Sequence, residues 1–583
     1  MISHGDGLTD ESRFFLVPEK PLHRQYEALR AYFVDQLPSQ EVAPRFGYTP
    51  GTFRVLCSEF RHDAARQQRF FQDVRHGPHA AQRRDAVRDL VIRLRKQNLS
   101  VYDIQAELAE RGQQISINAL SILLHEEGFA RLPRRGDEER PARQHPDAAP
   151  VADARALDLS PRSFHSGVAG LFLFLPLLQS IDFGALVQAA ELPGTEMVPA
   201  AHALRTLLAL KLLGKERTSH VMELVFDPGI ALFAGLNVVP KRSFLAEYSG
   251  RVDPRSNLRL MSAWAEVAAT AGLGCGASFD LDFHTVPANS EAEPLDKHYV
   301  SRRSRSQKGI LTFLARDVQE NVLCYGNAGV PKDQRDGEVL RFVEFWLART
   351  GRLPEELVFD SQLTTHATLH QLQERGIAFI TLRRRSRKLV GSVFSAPAAQ
   401  WRRVTLPALT RQFRNPRVLD TQVTLPGYPG PLRQLAITDL GHEEPTILLT
   451  NRLRASVVDL ITRYAQRMLI ENGIADAINF FHLDALSSMV GLKVDFDLQM
   501  TLMASALYRL MAQRIGREYR RATAKTLFRK LLDVSGDVHI TPTAVVVDLA
   551  RRAHNPFLVS ARLTDQPIAV PWLKNMPVVL RFV

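Results

Sequence analysis

The chain has 583 residues, 45% hydrophobic and 23% charged, with a formal net charge of +12. That length exceeds one hydrophobic core and suggests roughly three or four domains. The basic balance favours a polyanionic partner, nucleic acid ahead of an anionic membrane surface. Three scattered cysteines, Cys57, Cys275 and Cys324, exclude a disulfide framework or a zinc spacing.

The N-terminus, "MISHGDGLTDESRFF", lacks the basic-then-apolar pattern of a secretory signal, so a cytoplasmic location is expected. In "LPSQEVAPRFGYTPGTFRVLCSEFRH" a helix from about Ser39 stops at Gly47. A second begins at Thr49-Pro50, with Thr as cap and Pro at the first helical position. Pro44 predicts a kink in the first of these helices. The stretch "NLSVYDIQAELAERGQQISINALSILLHEEGF" opens on Ser100 and Asp103 as a capping-box pair. It turns at Gly112, recaps at Ser116 and closes at Gly128. With the basic "RRDAVRDLVIRLRK" between them, these segments predict tandem helix-turn-helix units over 1–75 and 76–132. Short helical hairpins also occur in proteins that never touch DNA; the pairing and the basic flanks carry the reading. Helices 50–62 and 117–127 are the candidates for major-groove entry, with Thr52, Arg54, Asn118 and Ser121 as contacts.

Residues 133–163, rich in Pro, Arg, Asp and Ala, read as a linker, and 164–270 as a helical domain. Within it "VAGLFLFLPLLQ" is interrupted by Pro176 and falls short of the ~20 residues a spanning helix needs, so a buried helix is expected and no membrane association. From 275 the pattern turns to strands: "GASFDLDFHTV", "GILTFLARDV" and "ENVLCYGNAGV". The helix "GEVLRFVEFWLARTG", strand "ELVFDSQ", helix "HATLHQLQERG" and strand "IAFITLRRR" follow. This order is that of an α/β RNase H-like sheet, predicting a domain over 271–583 with a β-rich insertion at about 386–453. The whole is therefore multidomain, all-α units followed by an α/β domain.

Beyond the insertion, "RYAQRMLIENGIADAINFF" at 463–481 predicts one helix. Ile470, Ile474, Ala477 and Phe481 form its apolar arc, and Tyr464, Arg467 and Glu471 line its edge. Asp280 and Asp282 share one face of the first strand, and Asp360 ends the fourth. In such a sheet the first and fourth strands are neighbours, so three carboxylates can meet where the helix edge arrives. Hard divalent cations suit that oxygen donor set, and two of them can act on a phosphodiester. Singly, each signal is weak: an Asp at a strand end is commonly a turn residue, and Arg467 with Glu471 is an ordinary i,i+4 pair.

Together these motifs resemble the DDE transposases of bacterial insertion sequences with a Tyr-x2-Arg-x3-Glu signature, here Tyr464, Arg467 and Glu471 in "YAQRMLIE". The resemblance covers roughly 235–583 and is specific at three motifs. It implies catalytic, metal-binding Asp282 in "LDFHTVP", Asp360 in "VFDSQLTT" and Glu471, spaced by 78 and 111 residues. Asp280 is a second candidate for the first carboxylate, and Asp282 is preferred because the family places that Asp last before the chain departs. His284 is read as a structural neighbour. The signature's Lys, seven residues after the Glu, is here Ile478. The resemblance further implies two Mg²⁺ or Mn²⁺ ions per site, hydrolysis at transposon ends and strand transfer into target DNA. It also implies a homodimeric synaptic complex on double-stranded DNA, in the bacterial nucleoid. Tyr464 and Arg467 would contact DNA, as would Arg302, Arg303, Arg305 and Lys308 between the first two strands. So would Arg383, Arg384, Arg385, Arg387 and Lys388 after the fifth. The rival readings are a transposase-derived regulator that binds without catalysis, and an RNase H-like nuclease that cuts without joining.

Overall fold

A computed structural model describes residues 15–62, 70, 86–130, 132, 151–287, 296–300, 305–331, 333–360, 365–407, 414–441, 443–484, 491–564 and 566–583. The chain divides into two units, Met1–Pro146 and Asp147–Val583.

The first unit contains two helical trios. α1 (Pro21–Phe33), α2 (Ser39–Arg45) and α3 (Pro50–His62) close on Ala28, Leu29, Val42, Phe46, Phe53 and Leu56. The sequence reading did not anticipate α1. Pro44 falls in the last turn of α2, where it precedes a helix end rather than kinking a longer helix. Thr49 and Thr52 cap the start of α3 reciprocally, each backbone N–H donating to the other's hydroxyl at 3.1 and 3.2 Å. The second trio, α4 (Arg88–Lys96), α5 (Val101–Glu110) and α6 (Ile117–Glu126), buries Val91, Leu94, Ile104, Leu108, Leu120 and Leu123. Ser100 and Asp103 form the expected capping box, and Ser116 accepts from the Ala119 N–H at 3.3 Å. Gly112 and Gly128 take positive φ, which ends each helix without a Cβ clash.

In the second unit, β1 (Arg162–Ser166) leads into the apolar run, a buried 3₁₀ turn at Ala169–Phe174 continuing into the short helix Leu175–Leu178. The residues expected in a linker thus reach into a strand at Arg162. Helices α7 (Ala200–Leu212) and α8 (Pro254–Thr270) follow. No single helix among the described residues is long and apolar enough to cross a membrane.

A ten-stranded mixed sheet comes next. Its strands are β2 (Ser278–Pro287), β3 (Lys297–Val300), β4 (Arg305–Asp317), β5 (Val322–Ala328), β6 (Glu356–Phe359) and β7 (Ala378–Leu382). After these come β8 (Trp401–Arg403), β9 (Arg417–Leu425), β10 (Tyr428–Thr438) and β11 (Thr446–Thr450). The order is β4-β2-β6-β7-β11-β10-β9-β8, with β3 and β5 both paired to β4. β2, β6 and β7 are mutually parallel; β4 and β5 run antiparallel to their neighbours. The segment expected as a β-rich insertion carries β8 to β11 and extends this sheet, because β11 pairs directly with β7.

Helices cover both faces. α9 (Glu338–Thr350) sets Phe342 and Trp346 against Phe279 of β2, with ring centroids 5.1 and 4.4 Å apart. α10 (His366–Glu374) adds Leu369 and Leu372 to that core, and α11 (Arg387–Phe394) follows β7. On the opposite face Val358 and Ile380 pack with Val457, Leu460 and Ile461 of α12 (Val457–Gln466), which α13 (Met468–Asn479) follows. The 25-residue α14 (Gly491–Ile515) then leads to a second sheet of β1, β12 (Gly536–Ile540), β13 (Val545–Leu549), β14 (Ile568–Val570) and β15 (Met576–Phe582). The expected helical domain at 164–270 has no core of its own. Leu204, Leu208 and Phe233 share one with Met503, Leu507, Val547 and Leu580. Residues distant in sequence complete it, which no local pattern announces.

Candidate active site

Alternation along β2 sends Phe279 and Leu281 to the α9 side and Asp280, Asp282 and His284 to the side carrying α12 and α13. Asp280 is fully buried and held by two guanidinium groups: Arg316 on β4, and Arg463 at 2.8 Å. Both of its oxygens are therefore engaged by side chains. Asp282, two residues further along the strand, is half-buried.

The parallel register places Ser278 beside Glu356 and Asp280 beside Val358, a constant offset of 78 residues. The same 78 residues separate Asp282 from Asp360, which directly follows β6, so the register extended by two positions would set those carboxylates level.

The helix expected over 463–481 is two helices. α12 starts earlier, at Val457, where Ser456 caps it, and α13 begins at Met468 with Arg467 at the joint. The Arg467 amide donates to the Tyr464 carbonyl at 3.1 Å, and the Ile470 amide to the Arg467 carbonyl at 2.9 Å. These three-residue bonds tighten the chain at that point. The apolar arc is buried as expected at Ile470, Ile474, Ala477 and Phe481, and each of the two Ile and the Phe side chains contributes about 1.5–3 kcal/mol.

At the joint Arg467 is 8% exposed. Its Nη1 stands 3.2 Å from Asp282 Oδ2, its Nη2 3.7 Å from Glu471 Oε1, and its guanidinium 5.7 Å from the Tyr464 ring centre. Burial pushes the Asp282 carboxyl up to about 6; Glu471 and Asp360 reinforce the shift, and Arg467 opposes it. Burial works to lower the Arg467 pKa, but Asp282, Tyr464, Asp360 and Glu471 together hold it above its usual value. The Tyr464 phenol is pushed up to about 12, chiefly by burial, so it stays a protonated donor. Three carboxylates from β2, the end of β6 and α13 thus act on one guanidinium.

The donor set suits a hard divalent cation in chemistry: three carboxylates, with Glu471 exposed on the open side. In the arrangement shown Arg467 supplies the positive charge among them. Among the described residues no group of three His, Cys, Asp or Glu closes to metal-binding distance.

The remaining expected residues divide. Arg302 and Arg303 lie outside the described residues, as does the side chain of Arg305, while Lys308 is exposed on β4. Arg384, Arg387 and Lys388 are exposed; Arg385 is exposed and pairs with Glu444 at 2.9 Å. Arg383 is not a solvent-facing contact: it is half-buried, donates to Gln434, and burial lowers its pKa. Tyr464 and Arg467 also turn inward, toward the carboxylates rather than solvent, because the joint packs them over β2. Thr52, Arg54, Asn118 and Ser121 are all exposed on their helices, with the Thr52 hydroxyl engaged in the cap. Ile478 is half-buried against the sheet core, so no cation stands at that position. His284 is half-buried, its imidazole pKa lowered by burial.

One residue escaped the sequence reading. Arg463 joins Asp280, Glu356 and Ser278. Its signal was present: Arg463, Arg467 and Glu471 recur at i, i+4 and i+8 along one stripe.

No family model and no curated protein matches the chain. Among solved structures, a piggyBac transposase synaptic complex with hairpin DNA aligns over 63% of this chain and 86% of that one. The identity is 9% and the TM-score 0.31, too slight a likeness to carry an argument.

Proposed function

We propose that the chain is a DDE transposase that cuts DNA at transposon ends and joins them to target DNA. The observation that carries this reading is the gathering of Asp282, Asp360 and Glu471 around Arg467, from two adjacent parallel strands and one helix. The order β5-β4-β2-β6-β7 follows chain order third, second, first, fourth, fifth, and is read as an RNase H-like core. The two N-terminal trios, with exposed Arg54, Asn118 and Ser121, are read as helix-turn-helix readers of the element's ends.

Asp282, Asp360 and Glu471 are the residues that would hold Mg²⁺ or Mn²⁺ on drawing closer than they stand around Arg467, and the ions would supply polarisation of a phosphodiester and of a bound water. Arg467 at the helix joint offsets the charge of the Asp282 and Glu471 carboxylates. Tyr464 remains a neutral phenol and is no nucleophile. Exposed Lys308, Arg384, Arg387 and Lys388 would meet DNA phosphates. The protein would act on double-stranded DNA in the bacterial cytoplasm, as a homodimer that pairs two ends.

A strand-transfer assay with labelled terminal-repeat DNA and a plasmid target tests this function. Joined products support transposition. Cleavage without joining would support a nuclease, and binding without cleavage a regulator.

A further inference from the structure

Arg463 supplies the polar grip of α12 on the sheet, beside the apolar packing of Val457, Leu460 and Ile461. Its Nη1 donates to Asp280 Oδ1 at 2.8 Å, its Nε to Glu356 Oε1 at 2.6 Å, and its Nη2 to Ser278 Oγ at 2.9 Å. One guanidinium thereby touches two positions on β2 and one on β6, the strands that carry Asp282 and lead to Asp360. Ser278 in turn donates to Glu356 at 2.8 Å, which closes the set.

The periods match. Arg463 and Arg467 are four residues apart, about 6 Å along a helix. Asp280 and Asp282 are two apart, about 6.8 Å along a strand. Two Arg–Asp rungs therefore form side by side, Arg463 on Asp280 and Arg467 on Asp282. Sliding the helix by one residue turns it about 100° and breaks both. The inner rung is the better held, since Asp280 is fully buried and Arg463 makes three hydrogen bonds there.

We propose that Arg463 is a positioning residue: it fixes the register of α12 on the first strand, and so places the joint at Arg467 from which α13 carries Glu471 toward Asp282. The consequence for catalysis rests on the transposase reading above; the anchor itself does not.

Arg463→Gln is expected to fold, because both buried carboxylates keep a partner. Asp280 retains Arg316, and Glu356 retains Arg452 at 2.8 Å. Arg463→Lys serves as the conservative variant, since an ammonium replaces the charge without the planar fork.

The experiment combines hydrogen exchange over residues 457–479 with DNA-cleavage kinetics on the full chain. Arg463→Gln should raise exchange in that segment while α9 stays protected. It should lower kcat about 100-fold, the scale of a small misplacement, with KM for DNA within about twofold. Arg463→Lys should fall between the two. Unchanged exchange in Arg463→Gln overturns the anchor whatever the activity. Raised exchange with unchanged kcat overturns the positioning role. A wild-type protein inert on DNA, with exchange still raised in the variant, overturns the catalytic reading and the positioning of Glu471, and leaves the anchor standing.

Discussion

Lys211 Nζ donates to the Phe481 carbonyl at 2.7 Å and lies equally close to Asp497 Oδ2. Phe481 follows the glutamate helix and Lys211 ends α7, so the helix that carries Glu471 is fastened at its far end by a residue 270 positions earlier. His482 Nε2 adds a hydrogen bond of ordinary length to the Gly214 carbonyl, at 3.1 Å. Lys211→Met should therefore lower stability by about 1–3 kcal/mol, because Asp497 loses its cation while part of its carboxylate stays in water. Denaturant unfolding measures the loss; a change below about 0.5 kcal/mol contradicts the fastening.

Asp495 on α14 provides a pH dependence away from the carboxylate site. Burial pushes its carboxyl up to about 6, opposed by the hydrogen bond from the Ala328 amide and by the neighbouring Asn257 and Gln499 side chains. A folded-state pKa above the unfolded value means the native state binds the proton more tightly. The associated stability is present below about pH 4 and is lost as pH rises through about 6. Asp495→Asn should accordingly stabilise the protein at pH 8 by about 1–3 kcal/mol, with the gain vanishing near pH 4. Unfolding curves at the two pH values decide it, and an equal effect at both would rule the ionisation out.

Much of this architecture could be read locally. The capping box at Ser100 and Asp103, the run of strands from Ser278, and the buried arc of α13 all follow from short-range patterns. The joint at Arg467 could not, since it arises where two packed helices meet the sheet at once, and the sequence there continues a helical period. The shared core of residues 164–270 with α14 and the second sheet was hidden for a similar reason: its partners lie hundreds of positions apart. Around the carboxylates, Asp282, Asp360, Arg467 and Glu471 were legible by type and order. Arg463 was passed over because Glu356, one of its two carboxylate partners, belongs to no motif and its pairing shows only in the packed structure.

The two sets of exposed residues should respond differently to DNA sequence and to salt. Arg54→Ala or Asn118→Ala, on exposed helix faces, should cost about 1–3 kcal/mol on terminal-repeat DNA and little on random DNA. Replacing Arg384, Arg387 and Lys388 together by Ala should weaken both DNAs alike and flatten the salt dependence. Arg383→Ala should instead act on stability, given its inward bond to Gln434. Fluorescence anisotropy over a salt series separates these outcomes; equal loss on both DNAs for Arg54→Ala and Asn118→Ala would remove those helices from sequence recognition.

The most direct measurement is divalent-metal-dependent cleavage of terminal-repeat DNA by wild type, Asp282→Asn, Asp360→Asn and Glu471→Gln, with DNA binding followed on the same proteins. Each substitution removes one charge at constant shape, so fold and binding should persist while cleavage falls at least about 1,000-fold in all three. Cleavage at wild-type rates in any one of them would contradict a single site built from these three carboxylates.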